Sequence, residues 1–146
     1  MPESTWLSTS HALPTYAVLM AEGFTPVSGS IALSALSTQH YGYAAIQSND
    51  GDEIEYVFPL GAGMYEMRLL ARTGATHGIT DVYLDGVEIH SADLYSASTT
   101  NNVLLTQSGV VVSSGGLHTI RMKTDGKNAS STGYVRHVSS VRFTPE

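Results

Sequence analysis

Residues 64–72, with the sequence MYEMRLLAR, alternate between apolar and charged side chains. A β-strand points successive side chains to opposite faces, so this period of two predicts a strand with one buried face. The side chains expected to point inward are Tyr65, Met67, Leu69 and Ala71. The same alternation recurs in residues 53–60, where Ile54, Tyr56 and Phe58 share a face. Both segments are therefore predicted to be half-buried antiparallel strands.

Turn signals separate further strand-like segments along most of the chain. The strongest is Asp85-Gly86, which lies between residues 79–84 and 87–89 and predicts a hairpin. Asn49-Asp50-Gly51 and Gly115-Gly116 predict two more turns. The remaining strand-like segments are residues 30–37, 41–47, 103–113, 117–123 and 134–143. About eight or nine strands, spaced roughly ten residues apart, predict an all-β sandwich or barrel.

Composition excludes several classes of protein. The 146 residues are 42% hydrophobic and 14% charged, and this length fits a single domain. The chain has no cysteine, which excludes a disulfide framework and a thiolate site. It also has no apolar run long enough for a transmembrane helix, and its net charge of −6 argues against nucleic-acid binding. We therefore expect neither a membrane nor a nucleic acid as a partner.

Residues 1–29 lack a clean period and are predicted to form an extended arm outside a sandwich domain of residues 30–146. Apolar side chains in such an arm need a surface that buries them. The arm residues expected to bind a partner are Trp6, Leu7, Leu13 and Tyr16. The first 67 residues also contain no Lys or Arg, so their charge is entirely acidic. Either the acidic residues fall in this half without a function, or this half faces a basic neighbour, so it is the first place to look for a partner.

No pattern typical of catalysis or of a metal centre stands out. The six histidines are widely separated, which favours a hydrogen-bonding or a surface role for His118 over a zinc site. Residues 49–53 are locally acidic and leave calcium open, although turn chemistry explains most of the aspartates. The chain has no Gly-x-Ser-x-Gly elbow for a serine nucleophile. We therefore expect neither an enzyme nor a cofactor.

Several short motifs between Gly61 and Phe143 carry a resemblance to a known family. The motifs are Ala62-Gly63-Met64-Tyr65, Gly78-Ile79, Tyr83-Leu84-Asp85-Gly86, Asp93-Leu94-Tyr95, residues 115–121 (GGLHTIR), residues 127–131 (KNASS) and Gly133-Tyr134. Through them the chain resembles a jelly-roll module of tailed-bacteriophage structural proteins, which is related to carbohydrate-binding β-sandwiches. The resemblance implies an antiparallel jelly roll that serves as a non-enzymatic part of a virion.

The resemblance implies a capsid decoration, or cement, protein that attaches through its N-terminal arm and its oligomer contacts. The expected partners are further copies of the chain, with a homotrimer favoured, and the major capsid protein or another virion protein. Synthesis in a host cytoplasm is expected because residues 1–10 lack the basic and apolar regions of a secretory signal.

The alternative is a carbohydrate- or receptor-binding module of a phage tail or fibre that recognises a host surface glycan. Tyr95 and Tyr134 lie near predicted loops, where a flat ring can stack on a sugar while its hydroxyl forms hydrogen bonds. These two tyrosines are therefore the predicted glycan contacts.

Overall fold

The computed structural model describes residues 15–19, 24–35, 43–47 and 49–146. Within them lie eleven strands: β1 (Tyr16–Leu19), β2 (Thr25–Ser28), β3 (Ala32–Ala35), β4 (Tyr43–Gln47), β5 (Glu53–Leu60), β6 (Gly63–Thr73), β7 (Ile79–Leu84), β8 (Val87–Asp93), β9 (Thr100–Val112), β10 (Gly116–Thr124) and β11 (Arg136–Pro145). Across these same ranges, no helix has the length and apolar character that a membrane crossing requires.

The strands pair into two antiparallel sheets. Five strands of the six-stranded sheet follow the order β3-β4-β11-β6-β9, and β1 pairs with the C-terminal half of β11. The five-stranded sheet has the order β2-β5-β10-β7-β8. This arrangement confirms the predicted all-β antiparallel sandwich.

An apolar core fills the space between the two sheets. Tyr65, Met67 and Leu69 on β6 are completely buried, as their alternation with charged residues predicts. The ring of Phe143 on β11 lies 5.5 Å from that of Phe58 on β5 and 6.3 Å from that of Tyr65. Phe143 therefore joins the two sheets at the centre of the core.

The predicted hairpin at Asp85-Gly86 is present between β7 and β8. Both residues have positive φ, 50° at Asp85 and 83° at Gly86, as the tight turn of such a hairpin requires. The Asp85 carboxylate accepts a hydrogen bond from the Thr119 amide at 2.8 Å and lies 2.6 Å from Nδ1 of His118. This contact with His118 holds the pKa of Asp85 below its usual value. His118 is buried and also lies 2.9 Å from the carbonyl of Ser114, so its predicted hydrogen-bonding role is confirmed.

The N-terminal part of the chain differs from the prediction of an arm over residues 1–29. Residues 16–19 form β1 on the six-stranded sheet, and residues 25–28 form β2 on the five-stranded sheet. The side chain of Tyr16 packs against the core and is half-buried. Strands of four residues are too short to show a clear period, and their partners lie far away in sequence. The predicted arm contacts that lie outside the described residues are Trp6, Leu7 and Leu13.

Candidate functional site at the loop end

Several connections meet at the end of the sandwich where β5 and β7 begin and where β8 and β10 end. They are residues 49–52, 74–78, 94–99 and 125–135, and we call them together the loop end. Backbone hydrogen bonds tie these connections to one another. The Gly51 amide donates to the Thr124 carbonyl at 2.8 Å, and the Gly78 amide donates to the Val135 carbonyl at 2.9 Å. The loop end is therefore a connected surface whose parts hold each other in place.

Tyr134, one of the two predicted glycan contacts, lies half-buried in this surface. The ammonium of Lys127 lies over its ring, 5.0 Å from the centroid, in a cation–π contact. Gly78 lets the backbone of Tyr134 approach closely, because a Cβ at Gly78 would lie 3.1 Å from Cα of Tyr134 and 3.0 Å from the carbonyl oxygen of Gly126. Close backbone packing therefore fixes the position of the Tyr134 backbone.

Tyr95, the other predicted glycan contact, follows β8 on the neighbouring connection. Its amide donates to Oδ1 of Asp93 at 2.9 Å, and its backbone forms a parallel bridge with Gly74. The second oxygen of Asp93 accepts a hydrogen bond from Nδ2 of Asn128 at 2.8 Å. Asp93 therefore links the connection that carries Tyr95 to the one that carries Tyr134. The structure brings both predicted tyrosines to the loop end.

A pair of carboxylates lies where β7 and β10 enter the loop end. Burial raises the pKa of Asp81, and the neighbouring Asp125 raises it further. The Ser91 hydroxyl opposes this rise, because it donates to Oδ1 of Asp81 at 2.6 Å. Asp81 is buried, so this pair is part of the support beneath the loop end.

The carboxylates of residues 49–53 form hydrogen bonds to backbone amides of the turn and its neighbour. Calcium binds six to eight oxygen ligands, usually with several carboxylates pointing at one centre. In the described part of the chain, no three His, Asp or Glu side chains converge in this way. The Asp50 carboxylate accepts a hydrogen bond from the Gly126 amide at 2.8 Å, and Asp52 accepts one from the Asn49 amide at 3.3 Å. These carboxylates therefore organise the turn.

Two histidines that the sequence did not single out as a pair lie beneath the loop end. Nε2 of His77 is 2.7 Å from Nδ1 of His137, and the ring centroids are 4.9 Å apart. Burial, with the nearby charge of Arg72, lowers the pKa of His77 to about 4, and burial, with His77 and Arg72, lowers that of His137 to about 4. At neutral pH both rings are therefore neutral, and one donates its proton to the other in a hydrogen bond. Only the strand topology could have identified this pair, because 60 positions separate the two residues.

No protein-family profile matches the sequence, and no curated protein matches it. Solved structures do share its fold. A xanthan lyase from Paenibacillus matches 94% of this chain with a TM-score of 0.79 and 16% identity. The CBM36-1 domain of a multidomain xylanase from the hindgut metagenome of Trinervitermes trinervoides matches 91% of this chain and 98% of its own length, with a TM-score of 0.68 and 13% identity. A CBM36 carbohydrate-binding module in complex with calcium and xylotriose matches 88% of this chain and 99% of its own, with a TM-score of 0.61 and 14% identity.

These matches establish the fold, which is a β-sandwich similar to carbohydrate-binding modules. In the two CBM36 matches nearly the whole of both chains is aligned. The chain spans only 14% of the xanthan lyase, so in that enzyme the similar part is a small fraction of a larger protein. One of the CBM36 structures was solved in complex with calcium.

Proposed function

We propose that this chain is a non-catalytic carbohydrate-binding domain. The observation that carries the proposal is the alignment of most of this sandwich with nearly the whole length of two carbohydrate-binding modules. One of those modules was solved with a bound xylotriose. The sequence offers glycan binding as its alternative to capsid decoration, and the comparisons favour the alternative.

The loop end is the surface that we assign to the glycan. Sugars are bound by aromatic rings that stack on their C–H faces and by polar groups that pair with their hydroxyls. Tyr95 and Tyr134 supply the rings, and Lys127 and Asn128 supply hydrogen-bond donors beside them. The backbone hydrogen bonds between the connections support a surface ordered before the ligand arrives, which lowers the entropic cost of binding.

Replacing Tyr134 by alanine is expected to weaken oligosaccharide binding about tenfold, the loss expected when a stacking ring and its hydroxyl are removed together. Isothermal titration calorimetry with a bound oligosaccharide gives the affinity. The variant Tyr134→Phe keeps the ring and should retain most of the binding. Tyr83→Ala is the matched control, because Tyr83 lies on the outer face of β7 outside the loop end. An equal loss in the Tyr83 and Tyr134 variants would rule out the loop end as the binding surface.

The location in a virion that the sequence resemblance implies stays a prediction. The three matched structures are a lyase and two carbohydrate-binding modules. The attachment residues Trp6, Leu7 and Leu13 lie outside the described residues, so contact with a major capsid protein, or assembly as a homotrimer, is untested. A glycan-binding domain is consistent with the predicted receptor-binding role in a tail or fibre. That role is our second candidate.

A further inference from the structure

A groove of about 390 Å³ crosses the outer face of the six-stranded sheet, on a different surface from the loop end. Its floor is formed by β11, β6 and β9, whose outward side chains face the solvent here. The lining residues that matter for its chemistry are Ala17, Arg68, Leu70, Asn102, Leu104 and Arg142. The groove therefore combines two positive charges with an apolar floor and wall.

The two arginines of the groove are neighbours across the sheet. Strand pairing places Arg142 on β11 directly opposite Arg68 on β6, and both side chains stand on the same face. Like charges directly opposite each other repel and destabilise a sheet. An anion bound between them removes this repulsion. The register thus creates a position that favours negative charge.

The two arginines of the groove differ in how far their charge is paired within the described part of the chain. Arg68 contacts the Glu66 carboxylate through its Nε, so its two terminal nitrogens take no part in that ion pair. Arg142 makes no hydrogen bond or ion pair with any residue that the structure describes. Arg121 on the five-stranded sheet lies 3.0 Å from Glu55 and 3.4 Å from Glu53, so it is ion-paired as Arg68 is, whereas Arg142 is not. Arg142 is therefore the arginine of the groove that has no ion-pair partner among the described residues.

The rest of the groove suits a sugar ring attached to an acidic group. Ala17 lies opposite Arg142 on the neighbouring strand, and its small side chain leaves space beside the guanidinium. Leu70 forms a buried floor, and Leu104 stands 58% exposed as an apolar wall for the C–H face of a sugar. Asn102 adds a polar amide at the edge. A planar guanidinium matches the two oxygens of a carboxylate better than it matches a neutral hydroxyl.

We infer that this groove binds the carboxylate of a uronic acid unit in the glycan, held between Arg68 and Arg142. The inference rests on the proposed function, because it assumes that the ligand is a carbohydrate. It adds the ligand's chemical class, an acidic polysaccharide, and a second contact surface remote from the tyrosines. Each guanidinium donates charge-assisted hydrogen bonds to the carboxylate, and the sugar ring lies against Leu104.

Calorimetric titration of the full chain with oligosaccharides of galacturonate and of glucuronate tests this inference. The probe for charge is the methyl ester of the same oligosaccharides, which keeps the sugar ring but removes the negative charge. We expect the free acid to bind about tenfold more tightly than the ester, because a hydrogen bond to a charged group contributes more than a neutral one. Equal affinity for acid and ester would overturn the inference.

Substitution of the arginines locates the carboxylate. Arg142→Gln should weaken binding of the free acid about tenfold and leave binding of the ester unchanged. Arg142→Lys keeps the charge but loses the planar fork, so it should restore only part of the affinity. Arg121→Gln is the matched control, because it removes the same charge from the opposite sheet. If Arg121→Gln and Arg142→Gln lose affinity for the free acid equally, the loss comes from the change in net charge and not from the groove. That result would overturn the inference.

The remaining outcomes separate this inference from the proposed function. If Tyr134→Ala weakens uronate binding and Arg142→Gln does not, the protein binds glycans but the groove is not the carboxylate site. If a sulfated neutral oligosaccharide binds as tightly as the uronate and depends equally on Arg142, the assignment of a carboxylate is wrong. If neither acidic nor neutral oligosaccharides bind the folded chain, the proposed function fails together with the inference.

Discussion

The variant Phe143→Ala is expected to lose about 3–5 kcal/mol of unfolding free energy, the usual cost of truncating a buried aromatic side chain. Phe143 is completely buried, and its ring packs against Phe58 of the other sheet and Tyr65 of its own. Its removal opens a cavity between the sheets and takes one aromatic contact from each of the two neighbouring rings. Urea denaturation followed by far-ultraviolet circular dichroism gives the change in free energy.

A variant on the sheet surface provides the control for this loss. Leu117 is 75% exposed on β10, so Leu117→Ala should change the unfolding free energy by no more than about 0.5 kcal/mol. Phe143→Leu keeps part of the buried volume. Its loss of unfolding free energy should therefore lie between the losses of Phe143→Ala and Leu117→Ala. A loss for Phe143→Ala as small as that for Leu117→Ala would show that the core does not lie between the sheets.

Acidification from pH 6.5 to 4 is expected to lower the unfolding free energy by about 1 kcal/mol per pH unit, allowing for the partial exposure of His137. Burial lowers the pKa of His77 and His137 from 6.5 to about 4 in the folded protein. The unfolded chain therefore binds protons first as the pH falls. Stability that is fully present above pH 6.5 is lost progressively as the pH approaches 4. Urea titrations at four pH values across this window measure the slope.

The double variant His77→Asn/His137→Asn should flatten this pH dependence, even if it lowers stability at pH 7. His90→Asn is the matched control, because His90 contacts Gln107 at 3.1 Å and not the His77–His137 pair. The control should therefore keep the slope of the unsubstituted protein. An unchanged slope in the double variant would show that the pair does not control acid sensitivity.

The parts of the fold that the sequence predicted correctly depend on local patterns. The alternation around Tyr65 and Met67 covers a whole strand, and Asp85-Gly86 specifies its turn through backbone conformation alone. β1 escaped prediction because its four residues pair with β11, more than a hundred positions away. Long-range pairing leaves no periodic signal in so short a segment.

The candidate sites also differ in whether the local sequence could reveal their residues. Tyr95 and Tyr134 could be named from residue type and predicted loops, although contact with a glycan remains a proposal. Arg68 and Arg142 face each other because of the register between β6 and β11. The alternation of side chains within a single strand carries no information about this register. The sequence shows both as charged strand residues but not as neighbours.

Arg136 is the clearest departure from what residue type predicts, since arginine is almost never fully buried without a partner. The structure leaves it only 1% exposed at the start of β11. Burial lowers the pKa of Arg136 to about 10, and the charges of Asp52 and Glu53 oppose that shift. The inward position follows from the phase of β11 against its neighbours, which its sequence alone does not reveal.

Direct titration of the 146-residue chain with a panel of soluble neutral and acidic oligosaccharides decides whether it is a carbohydrate-binding domain. We expect saturable binding to at least one of them, weakened about tenfold by Tyr134→Ala and unaffected by Tyr83→Ala. Circular dichroism on the same sample shows whether the β-sandwich is folded during the titration. A folded chain that binds no member of the panel would contradict the proposed function.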